Sequence, residues 1–542
     1  MNKILLILST TLVVLFTCCS DDFLERENPS TLSIDNFFKT EDDFRIAMAG
    51  VYNVLVRSDY YNGYLVRYLE IASDDAHPGD DADYNAVVGD EINNFTMTPE
   101  SYTAINIFSS SYMGIARANT TIEKIRTSDL NQSFKNQIEA EARFLRALYY
   151  FNLVRLYGAV PLFLKEIADP QEVFIPRTPV MEVYETGIIP DLLFASQNLP
   201  AAYGGEDISR ATHWAAKALL AKVYLTLGSM DNTFYPKSRA LLWEIIISNQ
   251  FSLENNFADL YKRENEFGKE SIFEINFMSG QHFYYWEGFG VGNYMPQRNG
   301  IGSYYNLFYS PRFQGGSDGA WSRQGYGIVI PTTSNDPRAE IYNVPANTGI
   351  VEAFGIDDHR RDVTILDYYL AADSLYRDSL IKKPVDENLA PFNIAKYSDW
   401  EDNDNGEADD NFFILRLADV YLMFAEAENE INNGPTSQAY EYLNRVRRRA
   451  YGKGITDPSD IDYSGLGYEQ FLDIVYLERR LELAFEGQRW FDLIRRPQRA
   501  LNVLQAQNKT NASLERLLLP IPQYVINEMN VTQELILQNP GY

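Results

Sequence analysis

The sequence predicts a predominantly α-helical fold of paired helix hairpins into which a large, loop-rich segment is inserted. Three observations carry this expectation. Apolar residues recur at spacings of three and four towards both ends of the chain. Short Gly- and Pro-containing turns punctuate those runs. In the middle, 276–330 holds no helical period. The first two are marks of amphipathic helices packed as hairpins, and the third is turn chemistry.

Taken in order, the chain begins with one positive charge at Lys3 and a 13-residue apolar run at 4–16. A spanning helix needs about 20 apolar residues, and this run stops at Thr17-Cys18-Cys19. A short apolar core behind a basic tip reads as a secretory signal. The cysteines at its end make it resemble a lipoprotein signal, with residues 1–18 removed and Cys19 acylated; Cys18 is the alternative. Acyl chains bind membrane at about 0.8 kcal/mol per buried CH₂, so two or three make a stable anchor. The acidic stretch that follows, Ser20-Asp21-Asp22-Phe23-Leu24-Glu25, resembles a surface-export signal and points to the outer face of an outer membrane.

Residues 19–542 then form the body, with a helical scaffold at about 30–275 and 411–542. The spacing predicts a helix over 138–157 through Phe144, Leu145, Leu148, Tyr149, Asn152, Leu153 and Leu156, stopped by Gly158 and Pro161. A second helix is predicted over 210–227, and a pair over 412–431 and 437–449 around Asn432-Asn433-Gly434-Pro435. A long helix striped by Leu477, Leu481 and Phe485 breaks near Gly487. On that helix Glu478, Glu482 and Glu486 beside Arg479 and Arg480 read as intrahelical i,i+4 pairs. Spacing alone supports helical repeats and no more specific pattern.

The insertion, about 276–410, differs in kind. Residues 276–330 hold 11 Gly and 14 aromatics in 55 positions. Flat, amphipathic side chains on loops can stack on the C–H faces of sugar rings while amides and carboxylates take the hydroxyls. Phe283, Tyr284, Tyr285, Trp286, Tyr294 and Trp321 are the candidate rings. Asp80, Asp81, Asp83, Tyr84 and Asn85, in the Asp-rich stretch after His77-Pro78, are the candidate polar partners. The alternative is that the rings fill a second core or a partner interface.

Composition excludes several chemistries. With 75 acidic against 47 basic residues and a net charge of −28, the chain would repel a nucleic-acid backbone. Two adjacent cysteines cannot staple the fold or build a structural zinc site. The 14% aromatic content argues against disorder. No catalytic constellation stands out: His77, His213, His282 and His359 lack metal-ligand spacing, and Gly315-Gly-Ser317-Asp-Gly319 has neither the strand nor the helix of a nucleophile elbow. The run 399–410, with seven acids in twelve residues, offers at most adventitious Ca²⁺, since Phe412 stands where a calcium loop needs Glu. No cofactor, metal or catalytic residue is expected.

Several stretches together resemble the SusD/RagB family of outer-membrane nutrient-binding lipoproteins. They are 114–119, the helix and exit at 141–162, 416–428, the Glu/Arg-rich run 477–493, Leu519-Pro-Ile-Pro522 and the ending Gln538-Asn-Pro-Gly-Tyr542. Departures are small: the bulky Phe16 before the cysteines, and Tyr112 where Trp often stands. The resemblance implies four tetratricopeptide-like hairpins with a variable ligand-binding half. It implies a non-catalytic role, capturing an oligosaccharide or polysaccharide for a SusC-like TonB-dependent transporter. The same uptake-lid role for peptides or another nutrient is the alternative. The family's ligand contacts lie in variable loops, so the candidate residues above rest on chemistry alone.

Overall fold

The computed structural model describes residues 37–78, 84–278, 329–332, 349–366, 369–372, 380–383, 393–397, 409–530 and 535–542. Helix α1 (Glu41–Tyr52) opens with a reciprocal cap: the Thr40 hydroxyl accepts the Asp43 amide and the Asp43 carboxylate accepts the Thr40 amide. This satisfies two of the amides that a helix start leaves unpaired. Helix α2 (Tyr64–Ile71) leads into strand β1 (Ala76–Pro78), and α3 (Tyr84–Asn93) follows.

Helices α4 (Tyr102–Thr127) and α5 (Gln132–Tyr157) are 26 residues each, about 39 Å at 1.5 Å per residue. They fold back on each other through a four-residue turn. Asn131 caps α5, accepting the Ser133 amide at 2.8 Å. The helix therefore begins six residues before its apolar stripe does, because a capping residue and not hydrophobicity sets a helix start. It stops at Gly158, whose φ of +72° only glycine adopts freely.

From here the helices form a continuous stack. Helix α5 packs on α6 (Ile189–Asn198), α6 on α7 (His213–Gly228), and α7 on α8 (Tyr235–Ile247). Strands β2 (Ser271–Ile275), β3 (Val329–Pro331) and β4 (Phe412–Arg416) come next. Then α8 packs on α9 (Leu417–Asn432), and α9 on α10 (Ser437–Ala450) and α11 (Tyr468–Glu482). The stack thus resumes on the far side of the middle segment. Short helices α12 (Arg489–Ile494), α13 (Pro497–Ala506) and α14 (Gln523–Met529) close the chain. One hydrophobic core runs through all of it, from Phe44 to Ile536. Within the middle segment, short antiparallel pairs join 365–366 to 393–394 and 369–372 to 380–383. Among the described residues no helix is long and apolar enough to cross a membrane.

The predominantly helical class agrees with this architecture; two predicted elements need correction. The helix predicted from 412 starts only at Leu417, and 412–416 is strand β4, antiparallel to β2. A short apolar run has no period that separates strand from helix, and every residue of β4 is buried. The helix predicted through Phe485 ends at Glu482. Its last carbonyls are taken by side chains from elsewhere: Arg416 donates to the Glu482 carbonyl at 2.8 Å, and Lys396 donates to the Glu482 and Ala484 carbonyls at 3.2 and 2.9 Å. With those acceptors engaged the helix has nothing to continue on, and Phe485 turns to a φ of +60°.

Candidate functional site

Two short strand pairs govern where the middle segment joins the scaffold. In the first, Ile275 of β2 is the partner of Phe412 of β4, and the Phe277 amide donates to Asn411 Oδ1 at 2.8 Å. The chain therefore leaves the scaffold after 275 and returns before 412 through one two-stranded stem. In the second, β1 and β3 run antiparallel, pairing Ala76 with Pro331, His77 with Ile330 and Pro78 with Val329. Pro78 and Val329 therefore lie at the same end of this ribbon.

Thr332 ties Ile350 to the same place. Its amide donates to the Asp75 carbonyl at 2.8 Å, and its hydroxyl donates to the Asp74 carbonyl at 2.8 Å and accepts the Ile350 amide at 3.0 Å. Pro78, Val329, Thr332 and Ile350 are thus held at one knot of hydrogen bonds, separate from the Ile275–Phe412 stem.

Charged side chains clamp that knot to the helices. Asp74 binds Arg489 of α12 through both carboxylate oxygens at 2.7 and 2.9 Å, and Asp75 accepts Arg480 Nε of α11 at 2.6 Å. Burial alone would raise the Asp74 carboxyl, but Arg480 and Arg489 hold it well below the usual carboxylate range. Burial lifts Asp75 above its ordinary value, beyond what Arg480 offsets. Beneath them Lys509 donates to the carbonyls of Ile71, Ser73 and Ala76. Burial pushes that ammonium down to about 7. Helix α3 is seated against the ribbon by Gly89: a Cβ there would meet the Pro78 side chain at 2.6 Å and Arg67 at 3.2 Å.

A larger buried network ties the middle segment to the C-terminal helices. Among the described residues it joins Arg360, Lys396, Arg416, Arg447 and Arg449 to Glu270, Asp358, Glu478, Glu482 and Glu486. The intrahelical pairs read from 478–486 are therefore not what forms. Glu478, Glu482 and Glu486 reach across to these cations, Arg479 turns to Asp419 and Asp492, and Arg480 turns to Asp74 and Asp75. The i,i+4 spacing suggested solvent-facing pairs, whereas Glu478 and Glu482 are wholly buried. Burial would raise Glu482, yet Arg449, Arg416 and Arg360 hold it at about 2.

Of the sequence-predicted site residues, Tyr84 and Asn85 open helix α3 just beyond the ribbon. Asp81, Tyr284, Tyr285, Trp286, Tyr294 and Trp321 lie outside the described residues, as do Asp80, Asp83, Phe283, His282 and the cysteines Cys18 and Cys19. Most of the acidic run 399–410 does too; its described end, Asp409, pairs with Arg263. Among the described residues no group of His, Cys, Asp or Glu is arranged to hold a metal. His77 is buried in β1 and His213 opens α7 against Trp214. The supporting residues Asp74, Asp75, Thr332 and Lys509 escaped the sequence reading. The Asp74-Asp75 doublet ahead of His77 was the one available signal; a lone Lys509 carried none.

The model of the SusD family matches residues 244–542, and a model described as starch-binding, associating with outer membrane, matches 22–225. SusD-like protein P2 of Formosa agariphila is 31% identical over 553 residues, covering 98% of this chain and 99% of the relative. A SusD homolog of Bacteroides thetaiotaomicron superposes with a TM-score of 0.75 at 23% identity, covering 95% and 100% of the two chains. A laminarin-binding SusD-like protein superposes with a TM-score of 0.69 at 27% identity, covering 93% and 100%.

Proposed function

The chain belongs to the SusD family, and on that premise we propose that it is a non-catalytic cell-surface lipoprotein that captures an oligosaccharide or polysaccharide. It hands the glycan to a SusC-like TonB-dependent transporter of the outer membrane. The apolar run 4–16 ending at two cysteines supports the anchor, with Cys19 acylated and Cys18 the alternative. The laminarin-binding relative supports the glycan class.

The observation that carries the reading is the pairing of Pro78 with Val329. The two segments nominated separately for ligand chemistry, 80–85 and 276–330, are brought together where Pro78, just before the first, pairs with Val329 near the end of the second. On this reading Tyr284, Tyr285, Trp286, Tyr294 and Trp321 stack on sugar faces, and Asp81, Tyr84 and Asn85 take hydroxyls. The division into a scaffold (30–275 and 411–542) and a ligand-binding insertion (276–410) belongs to the same proposal, with the Ile275–Phe412 stem in its support.

Isothermal titration against a panel of oligosaccharides tests it. Binding of at least one glycan is expected, weakened about tenfold or more by Trp286→Ala or Trp321→Ala. No binding to any glycan overturns the reading; binding of peptides from an equally broad panel would redirect the same role to peptide uptake.

A further inference from the structure

Helices α11, α12 and α13 enclose a cleft of about 150 Å³, roughly the space of five waters. Four guanidinium groups line it: Arg480, Arg489, Arg496 and Arg499. Each is already ion-paired, with Asp74, Asp75, Glu430 or Asp473, so what the cleft offers is unused N–H donors and not surplus charge. Each guanidinium is oriented by an acceptor on one edge. Arg489 grips Asp74 through Nε and NH2, and Arg480 uses Nε on Asp75 and NH2 on the Asp74 carbonyl. Arg496 gives NH2 to Glu430, and Arg499 gives NH2 to Asp473. In all four, NH1 has no hydrogen-bond acceptor among the described residues.

Two acids share the cleft and leave this donor set intact. Asp492 has its oxygens engaged by Arg479 and Arg495 at 2.8 and 3.0 Å. Asp473 sits at the rim with its side chain 57% exposed, where an ion pair is weak and exchanges readily. Below, the Arg496 and Arg499 guanidinium carbons lie 5.2 and 5.3 Å from the Tyr476 ring centre, within the range at which an aromatic face attracts the cation.

We propose that this cleft is an oxyanion site that takes the carboxylate or sulfate group of an acidic saccharide. Planar forks with free N–H groups suit either anion. A cleft of about 150 Å³ has room for one such group. Arg480 and Arg489 also hold Asp74 and Asp75, so a bound anion sits beside the ribbon that pairs Pro78 with Val329. The proposal rests on the glycan-capture reading and adds a charge class to it.

The test is isothermal titration of the full chain with an oligogalacturonate, a sulfated oligosaccharide and a neutral β-glucan. A parallel arm measures the thermal shift given by inorganic sulfate against chloride at equal ionic strength. At least one acidic sugar is expected to bind more tightly at low salt than at high. The Arg496→Gln/Arg499→Gln variant should lose about 10- to 100-fold of that affinity and leave the neutral glucan unaffected. Which acidic sugar responds identifies carboxylate or sulfate as the source. Arg499→Gln alone, on the exposed rim, serves if the double variant fails to fold. Wild-type affinity in the variants, or acidic sugars bound no better than the neutral one, overturns the proposal. A sulfate shift that the variants lose, without acidic-sugar binding, also overturns it, as an adventitious ion only. If the neutral glucan binds and the acidic sugars show no arginine dependence, this proposal falls alone. If no sugar of any charge binds, glycan capture falls with it.

Discussion

Arg416 and Glu482 meet twice: NH1 donates to the Glu482 carboxylate at 2.6 Å and NH2 to the Glu482 backbone carbonyl at 2.8 Å. One residue ends strand β4 and the other ends helix α11, so a single guanidinium joins the stem of the insertion to the C-terminal scaffold. The same side chain also binds Glu270 and Glu486, and all of its donors are used.

Replacing Arg416 by Met leaves three buried carboxylates facing a gap in their compensation. Loss of one partner from a buried network costs about 3–5 kcal/mol, a large share of the 5–15 kcal/mol that typically holds a domain together. Arg416→Lys should recover only part of it, because one ammonium cannot match the fork. Urea unfolding at pH 7 reads both.

Acid should weaken the protein through Glu482. Its carboxyl is held at about 2 against an ordinary 4.5, so between those values the unfolded chain binds more protons than the folded one. The contribution is full above pH 4.5 and is lost as pH falls towards 2. Denaturant midpoints measured from pH 6 to 2 should drop in that window, and Glu482→Gln, less stable at neutral pH, should show a shallower drop.

Glu70 works in the opposite sense. Burial pushes its carboxyl up to about 8, so the folded state holds a proton that the unfolded chain has released above 4.5. The contribution is full below 4.5 and is lost as pH rises through 8. Glu70→Gln keeps a neutral acceptor for the Gly487 amide, which Glu70 meets at 2.7 Å. The variant should gain on the order of 1–3 kcal/mol over wild type at pH 8 and little at pH 4.5, as followed by thermal or urea unfolding.

Substitution of Gly89 tests the seating of α3. A Cβ at 2.6 Å from Pro78 meets a ring on a hydrogen-bonded ribbon that cannot yield. Gly89→Val should therefore cost about 1–3 kcal/mol and weaken glycan binding more than the distant Gly204→Val, whose Cβ site is open. Equal affinities for the two variants would separate α3 from the ligand site.

What could be read in the sequence was local. The helices at 138–157, 210–227 and 437–449 announce themselves because apolar spacing and capping residues act within a turn or two. The buried network was illegible for the opposite reason: Arg360 meets Glu478 118 positions away, and Arg416 meets Glu270 146 positions away. Read locally, Glu478, Glu482 and Glu486 next to Arg479 and Arg480 look like a solvated face; only the tertiary fold turns each to a distant partner. The candidate site divides the same way. Aromatic and acidic composition nominated 80–85 and 276–330, but nothing near Lys509 in sequence foretells its contact with the Ser73 carbonyl, 436 residues away.

The Ile275–Phe412 pair has a consequence for how such a protein can change. Because the excursion begins and ends at neighbouring residues, its length is almost free: doubling a closed loop adds only about 0.6 kcal/mol of closure entropy. Helices α8 and α9 pack on each other whatever lies between them. On the proposed function, specificity would be exchanged as a cassette spliced at this stem, provided the incoming sequence supplies counterparts of β3 and Thr332 for β1 and of Arg360 and Lys396 for the carboxylates of the C-terminal helices.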